Sequence, residues 1–136
     1  MPANTLSLLG TAFPTLTALD VGYGFYQGGV SVDELSRFCS SCPGLQHLDL
    51  SMVTTTREFG HGLSLLSRRA PALRSLAVHG VELPATALAQ LARGCPCLER
   101  IHMVDCDVEA EALATFLQLA TRLRDIYLTC RPNPSG

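Results

Sequence analysis

Three groups of residues in this chain have types and spacings that suit chemistry. Gly22-Tyr-Gly24 with Gly28 forms GxGxxxG, and Asp49 ends the next strand-like run. These are parts of a dinucleotide fingerprint, which works when free backbone N–H groups at a helix start meet a pyrophosphate. Here the next helix is marked to start at Ser31, where Ser31-Val-Asp-Glu34 reads as a capping box. That is several residues late for the glycines, so a nucleotide-binding enzyme built on the Gly22-Gly24-Gly28 loop is the alternative reading, not the first. Cys39-Ser-Ser-Cys42 has redox or zinc spacing and Cys95-Pro-Cys97 adds a close pair, but a tetrathiolate site needs a second CxxC unit. Four histidines occur among many serines without a GxSxG elbow or an HExxH helix. No catalytic residues, no metal and no cofactor are expected, and the chain does not read as an enzyme.

The elements that position these residues belong to one domain, since 136 residues leave no room for two independent cores. With 47% apolar and 16% charged residues and a mean hydropathy of +0.24, the chain is too hydrophobic for intrinsic disorder. A net charge of −2 supplies no basic surplus for nucleic acid or an anionic membrane, and neither is an expected partner. All ten basic residues are Arg, with no Lys. The first residues, MPANTLSLLGTAFP, lack a positive n-region, and no apolar run is long enough to span a bilayer. The expected location is cytoplasmic, with the nucleus as a second option. Six cysteines in that setting are expected as reduced packing residues.

Leucine fills 23 positions because one phrase recurs five times. Pro43-Gly-Leu-Gln-His-Leu-Asp-Leu50 has counterparts at Pro14–Val21, Pro71–Val78, Pro96–Met103 and Arg122–Leu128. The first Leu falls at 16, 45, 73, 98 and 123, giving spacings of 29, 28, 25 and 25. These lie within the leucine-rich-repeat range. The last two apolar positions of each LxxLxL alternate with a variable residue and predict a short strand with one buried face. Between phrases the period becomes helical: Leu35, Phe38, Cys39 and Cys42 share one face, as do Leu63 with Leu66, Leu88 with Leu91 and Ala92, and Leu113 with Phe116, Leu117 and Ala120. Gly94 stands where a helix C-cap is expected, and Leu6, Leu9 and Phe13 look like the tail of an earlier helix. The predicted fold is α/β: a leucine-rich-repeat solenoid, or horseshoe, with parallel strands on the concave face and helices on the convex face. Residues 1–136 make a single array of about four to five repeats, partial at both ends.

The strings Cys42-Pro-Gly-Leu-Gln-His-Leu-Asp-Leu50 and Leu91-Ala-Arg-Gly-Cys-Pro-Cys-Leu-Glu-Arg-Ile-His-Met-Val-Asp-Cys106 resemble the cysteine-containing repeat of F-box/leucine-rich-repeat proteins, substrate receptors of cullin-RING ubiquitin ligases. The resemblance covers nearly the whole chain and is closest in the fourth repeat. Phe13, Ala70 and Thr121 replace the repeat cysteine at helix ends, and Val81 stands where Cys106 does one repeat later. No F-box fits before residue 14. The resemblance implies a protein-binding repeat module, the substrate-recognition part of an F-box-like receptor or a fragment or isoform of one. Its partner would be a protein, such as a ubiquitination substrate, with the ligase adaptor a partner only if an F-box lies outside this chain.

Recognition is expected on the variable strand positions, which stacked parallel strands gather on one face. The candidate contacts there are Asp20, His47, Asp49, His79, Arg100, His102, Asp125 and Tyr127. Acidic residues collect on the first two strands and a cationic and aromatic patch of Arg100, His102 and Tyr127 on the last two. Tyr23, Phe25 and Tyr26 on the glycine-rich loop are further candidate contacts.

Overall fold

The computed structural model describes residues 5–21, 31–51 and 62–130. Within them the chain runs α1 (Thr5–Ala12), β1 (Ala18–Asp20), α2 (Val32–Ser41), β2 (His47–Asp49), α3 (Leu63–Arg69), β3 (Ser75–His79), β4 (Glu82–Leu83), α4 (Ala85–Gly94), β5 (Arg100–Val108), α5 (Ala110–Leu119) and β6 (Asp125–Cys130). The architecture is α/β with a parallel sheet. Strands β1, β2, β3, β5 and β6 pair in chain order, every pair parallel. Ala18 pairs with His47, His47 with Ser75, Ser75 with Arg100 and Arg100 with Asp125. Those offsets of 29, 28, 25 and 25 equal the spacings of the sequence phrase, so each phrase lies beside the next in register.

One local geometry is built at every junction. Phe13, Cys42, Ala70, Cys95 and Ala120 each accept at their carbonyl from the N–H three residues on, at Leu16, Leu45, Leu73, Leu98 and Leu123, over 3.1–3.2 Å. That turn swings the chain from helix into strand and drops its Leu into the core. Next, the carbonyls of Thr17, Gln46, Arg74 and Glu99 each accept two N–H groups from the following unit, those of Gln46 and His47, Arg74 and Ser75, Glu99 and Arg100, and Arg124 and Asp125. The backbone donors at strand starts are thus satisfied by the neighbouring unit.

Leu45, Leu48, Leu73, Leu76, Leu98 and Ile101 share one buried core with the inward faces of the helices. Ser31 caps α2, its Oγ accepting from the Glu34 N–H at 3.2 Å. Among the described residues only that half of the expected box forms, and Glu34 Oε2 is buried without a hydrogen bond there. Gly94 is not the C-cap of α4; Cys95 is. Gly94 is instead the last helical residue, where a Cβ would stand 2.6 Å from both Cβ and the carbonyl oxygen of Ser67. The helices approach too closely there for any side chain. Ala120, not Thr121, occupies the repeat-cysteine position in the last unit: it is the C-cap of α5 and buried, while Thr121 takes the place of the proline. Phe13 lies beyond the end of α1 and is exposed, as is Leu117 on α5. The short strand β4, which continues beside the far end of β5 through Glu82 with Asp107 and Leu83 with Val108, was not legible in the phrase.

No helix among the described residues is long and apolar enough to cross a membrane.

Candidate functional site

Alternation along the strands decides which side chains reach the open face. Leu48, Leu76, Ile101 and Met103 point into the core, so their neighbours point away from it. The register then sets Ala18, His47, Ser75, Arg100 and Asp125 in one row across the sheet, and Asp20, Asp49, Ala77, His102 and Tyr127 in the next. All eight strand residues singled out from the sequence therefore share one sheet, with His79 one step further along β3. A groove of about 470 Å³ runs from Asp20 and Asp49 across Ser75 and Ala77 to Arg100 and His102. The other candidates, Tyr23, Phe25 and Tyr26 together with the Gly22-Gly24-Gly28 loop, lie outside the described residues.

The expected division into an acidic and a cationic half holds for residue types but not for net charge. Arg100 Nε stands 2.9 Å from Asp125 Oδ2, and His102 Nε2 faces the same oxygen at 3.7 Å. The last strand thus supplies a carboxylate that offsets the cations of β5. At 3.7 Å His102 is near enough for attraction when protonated but too far for a hydrogen bond; its Nε2 is shielded from solvent and unbonded. Its ring tilts 48° against Tyr127 at a centroid distance of 5.7 Å, within the range of favourable aromatic contact. His79 Nε2 lies 3.5 Å from Asp105 Oδ2. Asp49 is oriented by Ser51, whose N–H donates to Oδ1 at 2.9 Å and whose hydroxyl donates to the same atom.

Asp105 itself has φ +52°, and Gly80, 25 residues earlier, has φ +69°. Few residues besides Gly, Asn and Asp tolerate that region. The Gly80 N–H donates to the Val104 carbonyl, whereas the Asp105 N–H donates to Thr129 Oγ1 at 2.8 Å. A side-chain oxygen replaces the backbone acceptor here, and the pairing offset between β5 and β6 falls to 24 at Cys106 and Cys130.

No disulfide joins the cysteines of the described residues, and Cys39, Cys42, Cys95 and Cys106 are buried. Burial pushes Cys39 and Cys95 up to about 12, reinforced at Cys39 by Cys42 and Cys95 and at Cys95 by Cys97. Burial also raises Cys42, against a backbone hydrogen bond at Leu16. A thiolate is the nucleophile and metal ligand, so these environments oppose the chemistry that CxxC spacing suggests. Cys42 Sγ instead donates to the Phe13 carbonyl and Cys95 Sγ to that of Ala70, each at 3.4 Å. The same thiol bond thus joins two different pairs of units.

Arg74, Glu99 and Arg124, each one residue before a strand, were missed in the sequence. They border a second hollow of about 260 Å³ with His47, Ser75, Arg100 and Asp125. Their 25-residue spacing was the available signal, but strand alternation directed attention one residue further on.

The chain matches no protein-family model and no curated protein.

Proposed function

We propose that the chain is a leucine-rich-repeat array that binds a protein partner through the open face of its sheet. On this reading it serves as the substrate-recognition portion of an F-box-like ubiquitin-ligase receptor in the cytoplasm or nucleus, without catalysis of its own. The agreement between phrase spacing and strand register supports the repeat architecture. The observation that carries the binding role is the groove itself: four parallel strands line it with Asp20, Asp49, Arg100 and His102 among others, and Tyr127 stands half-exposed on the next strand, paired with His102. Exposed Tyr and Arg on a scaffold fixed by backbone hydrogen bonds are the residue types that dominate binding energy at interfaces.

Display of peptides tiled from a proteome against the full chain tests this. Enriched peptides should lose at least tenfold in affinity against the double variant His102→Asp, Tyr127→Ala and keep it against Arg93→Asp on α4. A failure to enrich any peptide, or a dependence on Arg93 in place of the strand residues, would overturn the proposal.

A further inference from the structure

At the rim where the strands begin, Arg74, Arg100 and Arg124 converge on the smaller hollow. Arg74 meets Glu99 at 3.9 Å and Arg100 meets Asp125 at 2.9 Å, in both cases through Nε. A guanidinium offers five N–H donors in a fixed fork. Each of the two contacts is made through a single Nε, and Arg124 has no carboxylate within 4.0 Å among the described residues. Three cations therefore face two anions around one concavity. The hollow adjoins the larger groove in that His47, Ser75 and Arg100 line both.

We infer that this rim hollow is a carboxylate-binding subsite for an acidic segment of the protein partner, gripped by the Nη edges of Arg74, Arg100 and Arg124. The inference rests on the reading of the open face as a protein-binding surface. Planar carboxylates match the fork of Arg two bonds at a time. The surplus of one positive charge suits a single carboxylate, whereas a phosphoryl dianion would meet Glu99 and Asp125 as well. At about 260 Å³ the hollow is smaller than the ~300–1,000 Å³ typical of drug-sized ligands; it suits one side chain rather than a free metabolite. Asp20 and Asp49 at the other end of the groove repel acid, so the segment would lie with its carboxylate at the arginine rim and neutral or basic residues towards β1 and β2.

The test follows the arginine Nε–H resonances of the full chain while an acetylated Gly-Glu-Glu-Gly amide is added, in parallel with its Gln and phosphoserine counterparts. The Glu peptide should shift Arg74, Arg100 and Arg124 saturably and the Gln peptide should not. Arg74→Gln and Arg124→Gln should each weaken binding about tenfold, the size of one lost charged hydrogen bond, with backbone spectra unchanged. Equal shifts at Arg68, Arg69 and Arg93 on the helices would overturn the subsite, as would binding of the phosphoserine peptide alone. Should display-selected peptides bind the strand face while the Glu peptide moves none of the three arginines, the subsite falls and the protein-binding reading stands. Absence of binding by either kind of peptide would defeat both.

Discussion

Leu76 on β3 and Ile126 on β6 hold the same place in the repeated phrase, yet Leu76 is fully buried and Ile126 is 41% exposed. The difference recurs three residues earlier in the phrase, where Leu98 is buried and Leu123 only partly so. It recurs on the helices, where Cys39 is buried and Leu117, in the matching place three residues before the cap, is 46% exposed. Along the strands, enclosure follows the number of paired neighbours. Strand β3 has β2 and β5 as neighbours, whereas β6 pairs with β5 alone among the described strands. On the proposed repeat architecture, stability would be close to a sum of nearest-neighbour interfaces.

The largest expected effect measures that difference directly. Leu76→Ala should cost ~2–5 kcal/mol, because the side chain is enclosed and the cavity cannot collapse freely. Ile126→Ala should cost less than ~1 kcal/mol, since much of the removed surface already meets solvent. Denaturant unfolding of both variants decides the matter, and equal losses would mean that β6 is as enclosed as β3.

A smaller pair of substitutions sharpens the comparison at the helix layer. Gly94→Ala places a methyl 2.6 Å from the Ser67 Cβ and carbonyl oxygen, and backbone cannot yield as a flexible side chain does. The overpacking should cost about 1–3 kcal/mol. Gly44→Ala is the control: its Cβ would meet nothing within 4 Å, so its effect should stay within about 0.5 kcal/mol. Similar losses at the two glycines would show that the α3–α4 approach is looser than these distances require.

How far this was legible depends on what each residue reports. The phrase spacing carried strand order and register because every unit repeats the same backbone bonds, and Leu45, Leu73 and Leu98 could be placed without knowing anything distant. The role of Gly94 could not, because it depends on Ser67 in another helix. The alignment of Ala120 with Cys42 and Cys95 was obscured when Thr121 replaced the proline that marks the other turns. At the candidate site, residue types along the strands were legible, but the offset of Arg100 by Asp125 depends on how two side chains lean across neighbouring strands. The rim arginines were hidden for a simpler reason: period-two reasoning assigns faces within a strand and says nothing of the residue just before it.

The smallest expected effect concerns the interior thiols and is read by pH. Cys39 and Cys95 lie between units and are pushed from an ordinary value near 9 up to about 12, whereas Cys130 on β6 is exposed. A folded-state value above the unfolded one means that the folded chain holds its protons more tightly. The corresponding stability is fully present below pH 9 and is lost as pH rises towards 12, because the unfolded thiols ionise first. By pH 10 the loss should be on the order of 1 kcal/mol per thiol. The fold supplies its own replacements, since Ala92 on α4 holds the place of Cys39 on α2, and Ala70 that of Cys95. Melting of the wild type against Cys39→Ala, Cys95→Ala should therefore show a shallower alkaline decline in the variant, whatever its stability at pH 7. Parallel declines in wild type and double variant would locate the alkaline sensitivity elsewhere and remove the thiols from the account of what the interior protects.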